Sequence, residues 1–596
     1  TECASLAAAD LRDRLAAAET PAARARVVAA ALDDTETRLR RLEARTAALR
    51  AARERGTLGA EVYADRISAV ATRARGIDTR LQQVRTAVAA TRRRHGGIRL
   101  GPSPRERRVS RRANIKSLII TDSGVWIRGM STDEPDRSTG AHGREHHGVE
   151  GPGYPTPAAM RTESEREKTA FVMSLRVGMD VDGPDFVGVV DVDPDSETYA
   201  ELIDTVDMPN KGDELHHFGW NTCSSSCHAE GMMRDHLIVP GQRSSRIHIV
   251  DASDPRSPVI ENVIEPEEVF EHDLSAPHTV HCVPEGKIVI SMLGNADGEL
   301  PGGFLQLEQD DFSIDGHWEV DRGDMEMNYD YWYQPRHGVM LSSEWAAPET
   351  YYPGFDLDDV DAGKYGDSIH IWDWASKEHR QTLSFGEEGL IPLEVRMPHN
   401  PEETEGYVGA ALSSNIIRFW EDTDGRWEWE TVIEVEDREH PDWDMPVPGL
   451  VTDLLISLDD QYLFFSNWLH GDVRMYDVSD TGNPRLVDRV WAGGNFGDRR
   501  SVDDHDIRGA PQMLQLSRDG RRLYWTTSLF SSWDNQFYPE MGKEGSLMLK
   551  ADVFPDDGRM ELDEEFVVDF GDAPGGPARA HEIRWPGGDC TSDVWQ

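Results

Sequence analysis

SRIHIVDA at 245–252, SIHIWDWA at 368–375 and DVRMYDVS at 472–479 are one short strand written three times. Each begins small or polar, alternates β-forming residues, and carries an aspartate near its end: Asp251, Asp373 and Asp477. Alternation with period two sends successive side chains to opposite faces, which is the signature of a strand rather than a helix. Four more segments carry the pattern: FVGVVDVD (186–193), GGFLQLEQ (302–309), NIIRFWED (415–422) and SLMLKADV (546–553). The aspartates at 191, 251, 373, 477 and 552 set a unit of roughly sixty residues, with two of the intervals spanning two units.

Upstream of these strands lie further β-rich stretches, such as GKIVISML, GVMLSSEWA, GYVGAALSS, QYLFFSNW and RRLYWTTS. Before those stand HTVHCVP, YWYQPRH, PLEVRMPH, TDLLISLDD and QMLQLSRDG. Turn chemistry joins several of them, as at Leu458-Asp459-Asp460 and Arg518-Asp519-Gly520. Three or four short strands per unit, repeated seven times, predict an all-β chain folded as a seven-bladed β-propeller over residues 151–596. Two smaller β-domains are the alternative. The first unit, 170–196, lacks an innermost strand, while the terminal AHEIRWPGGDCTSDVW has no outer strands after it. The C-terminal strand is therefore expected to complete the first blade and close the ring. Residues 347–367 and 531–545 read as insertions looping from one face.

Composition bounds the function. Acids outnumber bases 109 to 62 in 596 residues, a formal charge of −47. So acidic a surface repels phosphate and excludes nucleic-acid binding by bulk charge. No apolar run approaches the ~18 residues of a membrane span. Five scattered cysteines (Cys3, Cys223, Cys227, Cys282 and Cys590) make no disulfide framework; they fit reduced thiols in a cytoplasmic protein, or a metal site. The charge is uneven. Residues 1–129 hold 27 Lys and Arg against 14 Asp and Glu, and the remainder 35 against 95. Lysine is scarce, which together with the acidity reads as halophilic: hydrated carboxylates keep a protein soluble where salt screens their repulsion. Residues 1–95, rich in Ala, Arg, Leu and Glu, are expected to form an α-helical extension punctuated by Pro21, Gly56 and Gly76. Residues 96–150 read as a disordered linker, with Met130 as the native start. The Arg111-Arg112 pair is followed by no apolar h-region, which argues against export. His142, His146 and His147 are expected to be solvated there.

The openings of the innermost strands are unusually polar: Glu214-Leu215-His216-His217, His278-Thr279-Val280-His281-Cys282, Tyr329-Asp330, Leu393-Glu394, Thr452-Asp453, Pro511-Gln512 and Ala580-His581-Glu582. Inner strands of a propeller line its channel, so these groups converge from separate blades on a candidate site. Histidines recur at blade spacing at 217, 281, 337, 399, 470 and 581. A metal is expected at His216, His217, His278 and His281, although adjacent residues on a regular strand face opposite ways, so that one of each pair binds. Imidazole suits copper, zinc, iron or nickel. Cys223-Ser-Ser-Ser-Cys227 reads either as two reduced loop cysteines or as a redox pair or accessory ligand set. Trp220, Trp345 and Trp468 are candidate pocket walls, with blade packing as the plainer role. Walker A, dinucleotide and G-x-S-x-G motifs are absent.

The stretches GPGYPTPAAM, DELHHFGWNTCSSSCH, HTVHC, YDYWYQPRHGVMLSSEWAAP, GLIPLEVRMPHNP, PGLVTDLLISLDDQYLFFSNWLHGDVRMYD and HEIRWPGGDCTSD closely resemble the selenium-binding protein family, whose characterised members include methanethiol oxidases. The resemblance spans about 151–596. It implies a seven-bladed propeller, a copper site built from histidines, and oxidation of methanethiol by O2 and water to formaldehyde, hydrogen sulfide and hydrogen peroxide. The positions matching the family's histidine motifs are His216, His217, His278, His281, His337, His399, His470 and His581. A nearby histidine, His281 or His399, is expected to shuttle protons, since imidazole titrates near working pH. A non-enzymatic propeller that carries selenium or sulfur, or holds a partner protein, is the rival. Two features depart from the family: Ala200 stands where some animal members carry a cysteine thought to hold selenium, and the family's C-x-x-C has one extra Ser here.

Overall fold

The computed structural model describes residues 149–151, 153–223, 232–443 and 445–595. The expected helical extension and all but the last two residues of the linker lie outside them, as do His142, His146, His147 and Cys227. Seven four-stranded antiparallel sheets make seven blades. Their innermost strands are Arg579–Arg584 in blade 1, Gly219–Trp220 in blade 2, Ser275–Val283 in blade 3 and Tyr331–Gln334 in blade 4. Pro392–Arg396, Val451–Ile456 and Leu514–Leu516 serve blades 5, 6 and 7. As expected, the C-terminal strand closes the ring: Arg579–Arg584 pairs with Thr169–Leu175, setting Phe171 against Arg584 and Leu175 against Arg579.

Burial explains the sequence pattern. The inner strand of blade 3 is buried along its whole length, whereas the outermost strand of blade 4, Glu378–Ser384, alternates exposed positions with half-buried or buried ones. Between blades the sheets meet face to face: Phe171, Met173, Val187 and Val189 of blade 1 pack with Leu237, Val239 and Val250 of blade 2. Such double-sided burial makes the middle strands continuous runs of Val, Ile, Leu and Phe.

The inner strands are irregular where they open. Their pairing shifts between Val172 and Ser174, Pro277 and Val280, Pro392 and Val395, and Val451 and Asp453. These bulges contain His581-Glu582, His278-Thr279, Leu393-Glu394 and Thr452. Two residues ahead of His216, His278, Leu393 and Thr452 stand Glu214, Ala276, Ile391 and Leu450, all with φ between 55° and 58°. Left-handed backbone at a non-glycine residue is strained by about 1–3 kcal/mol, and the same kink recurs in four blades. A bulge re-aims side chains and breaks strict alternation. The polar openings are therefore a repeated device of the fold.

Past the far end of the blade 1 inner strand, residues 585–595 pack against neighbouring blades. Trp585 Nε1 donates to the Leu516 carbonyl at 3.0 Å, Arg234 pairs with both Asp589 and Asp593 at 3.5 Å, and Val594 packs in the core with Cys223 and Cys282.

Candidate metal centre

Four imidazoles meet at the mouth of the channel, contributed by three consecutive blades. His581 opens the inner strand of blade 1, His216 and His217 lead into that of blade 2, and His278 sits in the bulge of blade 3. Ring centroids are 3.7 Å apart for His216–His581, 4.1 Å for His217–His278, 4.9 Å for His216–His217 and 5.1 Å for His216–His278. His216, His217 and His581 each offer a ligand atom within 4.8 Å of the others. Because the backbone is kinked ahead of it, the His216-His217 pair presents both rings to the same space.

The tautomers are set by what lies behind three of the rings. His581 Nδ1 donates to the Ser528 carbonyl at 2.9 Å, which leaves Nε2 as a lone pair. Thr279 Oγ1 donates to Asp330 at 2.7 Å and so accepts from His278 Nδ1 at 3.0 Å. His217 Nδ1 donates to Glu582 Oε1 at 3.2 Å, and the other oxygen of that carboxylate accepts the Phe218 N–H at 2.6 Å. The Nε2 atoms of His217, His278 and His581 are all buried without a hydrogen-bond partner. Three orphaned lone pairs on buried rings are costly as they stand; His217 and His581 belong to the set whose ligand atoms lie within 4.8 Å of one another, and His278 packs against His217 beside it. A cation relieves that cost, and a ligating histidine anchored through its other nitrogen to a carboxylate or carbonyl is the usual support of a metal site. The residues present fit a metal held by imidazole.

The electrostatics agree. Burial, reinforced by neighbouring imidazoles, holds His216 and His278 well below the ordinary histidine range. Burial likewise brings His217 and His581 down to about 3. All four rings are therefore neutral near pH 7, the form that ligates. Across the channel the openings of blades 4, 5 and 6 are acidic. Arg396 joins Asp330 at 2.7 Å and Glu394 at 2.6 Å. Burial opposes ionisation of Asp330, but Arg396 and the Val395 and Thr279 donors hold it at about 2. Burial and the neighbouring Asp330 push Glu394 well up. Its Oε1 has no hydrogen-bond partner and lies 3.8 Å from His217 Nε2.

The family model of the 56 kDa selenium-binding protein matches residues 148–596. The chain belongs to this family. A methanethiol oxidase of Xenopus laevis is 48% identical over 466 residues, covering 75% of this chain and 98% of its own. Human methanethiol oxidase and mouse selenium-binding protein 2 are each 46% identical with the same coverage. An X-ray structure of a hypothetical selenium-binding protein from Sulfolobus tokodaii superposes with a TM-score of 0.70 at 43% identity, covering 75% of this chain and 99% of that one.

Within this family member the eight histidines named from sequence part company. His216, His217, His278 and His581 gather. His281 lies three residues down the bulged strand, its ring against Tyr331, Trp332 and Tyr333, and burial lowers it to about 4. His337 is exposed in the short turn Pro335–His337. His399 follows the far end of its inner strand, with Nε2 on the Ile456 carbonyl. His470 sits in a hairpin of blade 6, with Nε2 on the Val447 carbonyl. They recur at roughly blade spacing, but the phase within the blade differs, and phase decides both which end of the blade a residue reaches and whether it lies on the inner strand. Cys223 and Cys282 are buried. Of the three tryptophans, Trp345 stands beside the centre. Trp220 packs against Phe171 and Arg234, and Trp468 against Phe537 and Tyr538.

The supporting partners were less visible in the sequence. Ser528 was legible only as the last residue of the recurring stretch RRLYWTTS, and Phe530 lies in a loop with no repeat signal. Thr279, Asp330 and Glu582 were legible only as polar strand openings.

Proposed function

We propose that this chain is a cytoplasmic, copper-dependent methanethiol oxidase that converts methanethiol, O2 and water to formaldehyde, hydrogen sulfide and hydrogen peroxide. The observation that carries the reading is the set of three buried, unpartnered Nε2 lone pairs, each fixed by a hydrogen bond at Nδ1. The relatives' names supply the reaction. His216, His217, His278 and His581 would hold the ion. When bound there, copper supplies a place for a thiolate and the one-electron steps that side chains lack. Glu582, Ser528 and the Thr279–Asp330 pair keep the rings turned inward. Glu394, whose carboxyl burial and Asp330 push well up against the pull of Arg396, faces His217 and is the group placed to exchange a proton beside the site. His399, tied to a backbone carbonyl beyond the far end of its strand, is poorly placed for that role; His281, within the channel, is better placed.

The test is metal analysis of the purified protein, followed by assay of sulfide, peroxide and formaldehyde from methanethiol. One copper per chain with the three products in equal amounts is expected. Copper retained without turnover at any salt concentration would favour the carrier reading.

A further inference from the structure

The four-histidine centre is roofed by aromatic side chains: Tyr329 at the opening of blade 4, and Trp345, Tyr351 and Phe530 in or next to the two insertions. One runs from Ala346 to Tyr365, whose backbones pair with each other, so that the segment between is a strap with its ends pinned together. The other follows the strand Arg522–Thr526 of blade 7 and carries Phe530 ahead of the helix Ser531–Phe537. Phe530 stands edge-on to His216 with centroids 5.8 Å apart. It also meets Trp345 at 5.8 Å and Tyr351 at 5.5 Å. Trp345 stacks on Tyr351 at 3.9 Å and reaches Tyr329 at 5.5 Å, and Tyr329 lies 4.0 Å from His278. A continuous aromatic shell thus passes from His278 to His216, and none of its four members is more than 4% exposed.

The shell is fixed relative to the centre. Glu214, two residues ahead of His216, accepts the Ser531 N–H at 2.9 Å and the Ser531 hydroxyl at 2.7 Å. The residue after Phe530 is therefore bonded to the segment that carries His216. The strap is fastened by Tyr352, whose hydroxyl donates to the Gln242 carbonyl at 2.9 Å, and by Gln536, which exchanges two hydrogen bonds of 2.9 Å with the backbone of Phe355. Close-packed aromatic walls on fixed anchors do not expand for a larger guest.

We propose that Phe530, backed by Trp345 and Tyr351, sets the size of the thiol that reaches the centre, admitting a methyl group and excluding longer alkyl chains. The inference rests on the methanethiol oxidase reading and adds the residue that enforces its specificity. Each methylene accommodated or refused by an apolar wall changes kcat/KM by about 10- to 200-fold. Phe530→Ala removes the ring over His216 and opens room for several carbons, so the kcat/KM ratio of methanethiol to butanethiol should fall by about tenfold or more. Phe530→Leu, which leaves a smaller void, should shift the ratio in the same direction by less, and it serves if the alanine variant does not fold. A second readout is free of turnover: the relative affinity of the cobalt(II)-loaded full-length protein for the two thiols, followed by thiolate-to-metal absorption. Failure of the copper-loaded wild type to oxidise methanethiol would refute the oxidase reading, and the cobalt titration would still decide size selection. Ratios unchanged within about twofold in both readouts, in a folded variant, would overturn the role of Phe530.

Discussion

Replacing Glu582 by Gln tests the logic of the centre more sharply than deleting a histidine, because it leaves every ring in place. The Glu582 carboxylate accepts three hydrogen bonds: Phe218 N–H at 2.6 Å on one oxygen, and His217 Nδ1 at 3.2 Å and Arg584 at 2.7 Å on the other. An amide has one acceptor to offer in place of two. If its NH2 faces His217, the imidazole must switch to the Nε2–H tautomer, which removes the lone pair from the metal position, and the amide also confronts the Arg584 donor. If the amide is flipped, NH2 meets the Phe218 N–H instead. Either way a buried donor is stranded, at a cost of about 1–3 kcal/mol to the metal-free fold. Arg584 keeps Asp589 at 3.3 Å, which limits the loss. Loss of such an outer partner weakens metal binding by about 10- to 100-fold. The assay is competition for copper against a chromophoric chelator, with urea unfolding of the chelated protein beside it. An affinity within about threefold of wild type, in a variant whose metal-free His217 is shown by 15N NMR to carry its proton on Nε2, would refute the claim that the hydrogen bond at His217 Nδ1 prepares Nε2 to ligate.

Other outcomes follow from the same geometry. His581→Ala should lower bound copper well below one per chain, while His337→Ala, in an exposed turn, should leave it unchanged; equal effects of both on metal content would contradict the placement of the site. His281 is held at about 4, chiefly by burial, against 6.5 for the unfolded chain. It therefore contributes stability that is fully present above pH 6.5 and lost as pH falls through 4. Urea unfolding of chelated protein should show His281→Gln losing about 3 kcal/mol less than wild type between pH 7 and pH 4, and parallel pH profiles would refute that shift. The net charge of −47 predicts an unfolding midpoint that rises with sodium chloride as self-repulsion is screened; a midpoint that does not move between 0.05 and 2 M, concentrations on either side of the range where screening becomes short-ranged, would argue against salt adaptation. Adding copper at about a hundred times its dissociation constant should stabilise the chelated protein by about 2.7 kcal/mol, seen as a raised midpoint in the same experiment.

The repeat was legible because propeller strands are buried on both faces and must be written in β-branched, aliphatic and aromatic residues wherever they fall. SRIHIVDA and DVRMYDVS are alike for that reason, and the missing inner strand of the first unit foretold the pairing of Arg579–Arg584 with Thr169–Leu175. The histidines were legible as candidates too, since imidazoles at strand openings are rare without a use. Their grouping was not. Sequence spacing measures distance along the chain, but a blade has two ends and four strands, so His399, past the far end of an inner strand, and His470, in the turn between the second and third strands, keep the right interval while lying away from the four that gather.

What the sequence alone determined was the ring: the number of blades, how it closes, and the acidic character of its surface. Each of these depends on pattern and composition summed over many residues. What only the tertiary structure decided was the centre. A kink of the backbone at Glu214 and Ala276 turns neighbouring side chains to one side, and partners hundreds of residues away, Glu582 for His217 and Phe530 for His216, fix the tautomer and the roof. Those relations exist only once the chain has returned upon itself, because hydrogen bonds and ring contacts act over a few ångströms in space and leave no period in the sequence.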